Sequence, residues 1–395
     1  MSRRLVATAV VLVIAGCKAI PLNDDPTVPR QMARVSHPAI YEVAWNTPLV
    51  KLGLLEYQPS EPASPAVDPD TERIYVTTRD GFVRCLSPID GSVEWQFKTN
   101  GRFVSGPTVS RGVVYVAGGD GLLYAFRALS GEKLWEFKSN EELVSAPTIT
   151  EGKVLVASQS ETLFAVDSET GAWIWQYRRD APSGFTVRGT SRPVVGDGLV
   201  YMGFADGYVV ALNLQSGVMT WEKRLSVSGG TQFLDVDTTP VLSEGRLFVA
   251  SYKDGLACLD AADGALKWTS AHGGITALLA RGNVIFATGD GSLTAFDMAQ
   301  GRTLWSLDLS DRTSKGKGVN AGRGLTMARG YVVVPTSTSL AFVEPTSGRV
   351  RAMLNPGRGV TAAPASASSP RYGSRLYVMS NLGTVFALQM VSTGG

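Results

Sequence analysis

In six segments of the chain, "GSVEWQF", "GEKLWEF", "GAWIWQY", "GVMTWEK", "GALKWTS" and "GRTLWSL", a glycine stands four residues before a tryptophan. The tryptophans are Trp95, Trp135, Trp175, Trp221, Trp268 and Trp305, spaced 40, 40, 46, 47 and 37 residues apart. Ten residues before each lies a small residue: Cys85, Ala125, Ala165, Ala211, Cys258 and Ala295. The pattern continues through Phe342, Gly348 and Ala352 and reaches Ala387, which makes eight units. Self-similarity at this period demands an array in which each unit buries its apolar face on its neighbours.

Turn chemistry divides each unit into short strands. Asp80-Gly81, Asp120-Gly121, Asp206-Gly207, Asp254-Gly255 and Asp290-Gly291 each separate two apolar runs, as a tight hairpin requires. A second turn ends at Gly91, Gly131, Gly171, Gly217, Gly264, Gly301 and Gly348, and a proline (Pro65, Pro107, Pro147, Pro193, Pro240, Pro364) opens the first strand of six units. No long segment keeps a helical apolar period without a glycine break. The 43 glycines among 395 residues, about 11% against a usual ~7%, are therefore punctuation and not a flexible tract. Four antiparallel strands per unit predict an all-β fold, an eight-bladed β-propeller. Ten residues past Ala387 lies beyond the last residue, so the eighth blade lacks an outer strand of its own; "EVAWNTPL", with Trp45, is predicted to supply it from residues 41 to 50 and close the ring. Cys85 and Cys258 then fall in opposite blades, too far apart for a disulfide, and read as small buried residues; a redox pair would need a proximity this architecture denies.

Ahead of the repeats, Arg3 and Arg4, an apolar run from Leu5 to Ala15 and Gly16-Cys17 have the layout of a secretory signal too short to span a membrane. "IAGC" also resembles the lipobox of bacterial lipoproteins, which implies cleavage after residue 16 and lipidation of Cys17; the alternative is an ordinary signal with a chance cysteine. Acyl chains on Cys17 would hold the protein on a membrane. Residues 17–40, with Pro21, Pro26, Pro29 and Pro38, read as an extended tether to a propeller over 41–395.

With 37 basic and 35 acidic side chains the chain lacks the positive excess of a nucleic-acid binder. Its two histidines, His37 and His272, stand in unrelated contexts and argue against a multi-histidine metal site. No nucleophile elbow with positioned His and acid appears. "SKGKGVNAGRG", with Lys315, Lys317 and Arg323, has the glycines and charge to meet phosphate but not the P-loop setting, and reads as an inter-blade loop.

The "Ala-Leu-Asp-x-x-x-Gly-x-x-x-Trp" core, present as "ACLDAADGALKW", resembles the quinoprotein-type, or PQQ-like, propeller repeat, and the likeness extends over nearly all of residues 41 to 390. Two families share that repeat: dehydrogenases that hold pyrroloquinoline quinone, and the BamB lipoproteins of the outer-membrane β-barrel assembly machinery. The enzymes carry a vicinal cysteine pair and a carboxylate-held calcium, and this chain has no Cys-Cys, so the resemblance implies no cofactor. "FTVRGTSRPVV" and "LDVDTTPVL" resemble BamB segments that contact a POTRA domain of BamA, the barrel-assembly protein. The resemblance places those contacts at Phe185, Val187, Arg188, Asp235 and Asp237, with Phe185 and Val187 where the family tends to have leucine.

Spacing supports grouping the two segments. Arg188 and Asp235 each lie five residues before a strand-opening proline, Pro193 and Pro240, of adjacent blades, so they share one face. The interface reading is an apolar centre with a charged pair. The competing reading is an ion-pair ring of purely structural purpose, because the same slot holds Arg102 and Glu142 in blades 2 and 3. The expected function is a lipid-anchored, non-enzymatic periplasmic scaffold at the outer membrane, a monomeric subunit of the assembly complex; the alternatives are a quinone- or other ligand-binding enzyme and a scaffold of another envelope system.

Overall fold

The computed structural model describes residues 40–51, 60–180, 191–225, 235–236, 238–289, 291–309 and 324–391. They form eight four-stranded sheets, each joined in order from an inner to an outer strand, and contain no helix. Blade 2 shows the plan: Thr108–Ser110 innermost, then Val113–Ala117, Leu122–Arg127 and the outer Lys133–Lys138. The two middle strands are almost wholly buried, whereas outer strands alternate between exposed and half-buried residues. That alternation follows from the position of an outer strand, with one face on the next blade and one in solvent.

The small residue ten before each tryptophan is its direct cross-strand partner: Cys85 faces Trp95, Ala125 faces Trp135, Ala165 faces Trp175, and Ala211, Cys258 and Ala295 face Trp221, Trp268 and Trp305. A β-bulge follows the small residue in every one of these pairs. The bulge twists the outer strand and aims the indole at the neighbouring blade. There Trp95 Nε1 donates to Ala128 O at 2.8 Å, Trp135 Nε1 to Ser168 O at 3.2 Å and Trp175 Nε1 to Leu214 O at 3.0 Å. The indole also fixes the glycine of the next blade. A Cβ on Gly131 would lie 2.6 Å from the Trp95 ring, and the residue's φ of +72° already favours glycine.

The eighth blade is completed as the spacing predicts. Tyr41–Pro48 pairs with Thr384–Met390 as the outer strand, and Trp45 Nε1 donates to Pro88 O of blade 1. Blade 7 has Ala352 in the tryptophan slot, and its shared apolar cluster with blade 8 includes Tyr41 stacked 5.1 Å from Phe342. In the Asp-Gly hairpins the left-handed residue is the glycine, at φ +78° for Gly121, while the Asp120 carboxylate accepts the Leu122 N–H at 3.3 Å.

Candidate functional site

One face of the ring carries the hairpins between second and third strands together with the connections from each outer strand to the next blade. The backbone defines a repeated slot there, five residues before the strand-opening proline. Its carbonyl accepts an N–H from the blade's own hairpin: Gly119 N to Arg102 O at 3.0 Å, Gln159 N to Glu142 O at 2.8 Å and Tyr252 N to Asp235 O at 3.3 Å. Asp235 thus holds in blade 5 the place of Arg102 in blade 2 and Glu142 in blade 3. Slots of adjacent blades lie within reach of each other, since Arg102 Nη2 and Glu142 Oε1 are 3.9 Å apart. That pair is exposed, and such pairs contribute about 0–1 kcal/mol.

Asp235 differs from these two in depth. It is 1% exposed, where the Glu142 side chain is 29% exposed. Glu161 is a charged neighbour of it. Glu161, in the blade 3 hairpin, takes the Ala205 N–H on Oε2 at 3.0 Å, and its pKa is raised by burial and by Asp206 and Asp235, with the Ala205 bond and Arg179 opposing. Arg179, one residue beyond the outer strand Trp173–Arg178, balances the acidic side chains. It donates from Nε to Asp206 Oδ2 at 2.6 Å and from Nη1 to Glu222 Oε2 at 2.7 Å, with its guanidinium 4.5 Å from the Tyr208 ring centre. Burial opposes the charge on Arg179, but its bonds to Asp206, Glu222 and Tyr177 outweigh this and hold the guanidinium more firmly charged than usual.

The stems of the connections opening blades 4 and 5 are therefore rooted in a polar cluster of blades 3, 4 and 5 in which Asp235 is buried and Glu161, Arg179 and Asp206 are half-buried. Sequence reasoning singles out Asp235 but misses Glu161 and Arg179. By spacing Asp206 reads as a turn residue only, and the one signal for Arg179 is its place at the start of a connection that lengthens the repeat. Phe185, Val187, Arg188 and Asp237 lie outside the described residues, as does Cys17. No group of three or more His, Cys, Asp and Glu suited to a metal ion occurs among the described residues.

A family model described as outer membrane protein assembly factor BamB matches residues 43–144, 79–243 and 234–394. The chain is 34% identical over 375 residues to outer membrane protein assembly factor BamB of Legionella pneumophila, covering 93% of each chain. Among solved structures it is similar to BamB from Moraxella catarrhalis, with a TM-score of 0.73 at 23% identity over 89% of this chain and all of that one. It is also similar to a europium-containing methanol dehydrogenase, with a TM-score of 0.69 at 13% identity over 88% of this chain and 93% of the other, a likeness of fold alone. The glycine-tryptophan ring and the matches along its whole length place the chain in the family of the outer membrane protein assembly factor BamB.

Proposed function

We propose that this propeller is a lipid-anchored scaffold on the periplasmic face of the outer membrane, where it joins the β-barrel assembly machinery by docking a POTRA domain of a BamA-type protein. It works through surfaces and not through bond chemistry. The dock is the pair of connections opening blades 4 and 5, with Phe185 and Val187 as apolar contacts and Arg188 and Asp237 as polar ones. Asp235 roots the second connection from within. Cys17 carries the lipid, and residues 18–40 tether the ring to it.

The observation that carries this reading is the shared backbone slot: Arg102, Glu142 and Asp235 each accept the equivalent N–H of their own blade's hairpin, and the neighbouring slots of Arg102 and Glu142 reach one another. On this reading the connections that run into Pro193 and Pro240 share one face, with Arg188 at its surface and Asp235 buried at the root of the second. Affinity capture of the full-length chain from detergent-solubilised outer membranes tests the proposal. The BamA-type barrel protein is expected to come with it in near-equal amount. A well-folded chain that arrives without that partner contradicts the reading.

A further inference from the structure

The residue just before the strand-opening proline is small in five blades: Ser64, Gly106, Ala146, Thr239 and Ala363. The reason is steric. A Cβ on Gly106 would collide with the Ser64 carbonyl oxygen of the preceding blade, because the inner strands converge here. Blade 4 breaks the rule with Arg192.

Its side chain runs back across two other blades. Nε donates to Thr148 Oγ1 of blade 3 at 2.9 Å, and Nη2 donates to Pro147 O at 2.7 Å and to Thr108 Oγ1 of blade 2 at 3.4 Å. Its own backbone N–H reaches Thr239 Oγ1, at the start of blade 5, at 3.2 Å. One residue can touch four successive blades only where they meet, on the axial side of the inner strands. The threonines are already committed as donors, Thr108 to Pro147 O at 2.7 Å and Thr148 to Pro193 O at 2.8 Å, so towards Arg192 they act as acceptors.

All of these partners are neutral. Among the described residues no carboxylate pairs with Arg192, and burial alone acts on it, lowering its pKa. Arginine does not give up its proton in proteins, so a positive charge stands at the axis with only neutral partners among the described residues. Arg192 is half-buried, and a guanidinium held only by neutral acceptors still gains from an opposite charge. The Nη1 nitrogen has no acceptor among the described residues, and the 3.4 Å contact of Nη2 with Thr108 is the weakest of the set. Together these two nitrogens form an open edge of the guanidinium fork, which fits two oxygens of one oxyanion.

We propose that Arg192 is the receptor of an axial oxyanion site, binding a phosphate or carboxylate group through its Nη1 and Nη2 edge beside the Thr108 hydroxyl. This function is separate from partner docking.

Isothermal titration of the full-length chain in detergent, at constant ionic strength set with sodium chloride, tests it with two probes, inorganic phosphate and citrate. Saturable one-to-one binding of at least one probe is expected, and the stronger probe identifies the ligand class. Arg192→Ala, which restores the residue that blade 3 carries at Ala146, is expected to weaken binding by about tenfold or more. Arg192→Lys, which keeps the charge without the fork, is expected to fall between the two. Absence of saturable binding with both probes overturns the proposal, as does equal binding by Arg192→Ala. If Arg192→Ala lowers the melting temperature and the wild-type chain binds neither probe, Arg192 is an inter-blade tie and nothing more.

Discussion

Trp45 sits directly across from Ala387, so residues from the two ends of the propeller form the same cross-strand pair that Trp95 and Cys85 form within one repeat. Trp45 is 8% exposed and closes the ring onto blade 1. Trp45→Ala is expected to cost about 3–5 kcal/mol, the range for a buried aromatic cut back to alanine. Trp173→Ala, at a residue 57% exposed on an outer strand, is expected to stay within about 0.5 kcal/mol. Urea denaturation of the two variants checks the contrast.

The tryptophan stacking on the next blade's turn makes glycines of equal φ unequal in consequence. Gly152 has φ +73° and open space for 4 Å around the position a Cβ would take, so Gly152→Ala should cost only the left-handed strain, about 1–2 kcal/mol. Gly131→Ala adds a collision with the Trp95 ring and should cost a further ~1–3 kcal/mol. Melting temperatures of the pair, with Gly131→Ala the lower, check this order.

The blade count, the cross-strand pairs and the closing strand are all legible in the sequence because each is a spacing between residues of extreme size, glycine, alanine and tryptophan. The position of Asp235 along the fold is legible in the same way. Its depth is not: the spacing does not distinguish the buried Asp235 from the half-buried Glu142 of the same slot, and its charged neighbour Glu161 lies 74 residues away in sequence. Arg192 stands out once the residues before the prolines are lined up, where it alone is large.

Cys85 and Cys258 are buried and free. Burial pushes the Cys85 thiol up to about 12, with Glu94 adding to the shift, and burial pushes Cys258 up to about 11. At pH 8 the thiolate of Cys85 is then about one molecule in ten thousand. Alkylation by iodoacetamide at pH 8, read by mass spectrometry, is expected to spare both in the native protein and to label both in urea.

Glu161 gives stability a specific pH dependence. Its folded pKa lies above the ordinary 4.5, so the folded state binds the proton more tightly than the unfolded state. The stabilisation is complete below 4.5 and is lost as pH rises through the raised folded value. Glu161→Gln keeps an oxygen for the Ala205 N–H and removes this dependence. The variant's stability relative to wild type should therefore rise as pH climbs from about 4.5 through the raised folded value in denaturant titrations. A constant difference would deny that burial, with Asp206 and Asp235 adding to it, raises the Glu161 pKa.

The central claim is that the connections opening blades 4 and 5 form a docking surface and not a structural ring of ion pairs. Binding of the BamA-type POTRA region to the wild-type chain and to Arg188→Glu, with melting temperatures taken in parallel, tests it most directly. An affinity reduced by about tenfold or more, with an unchanged melting temperature, is the predicted result. Unchanged affinity, or a melting temperature that falls together with affinity, would contradict the claim.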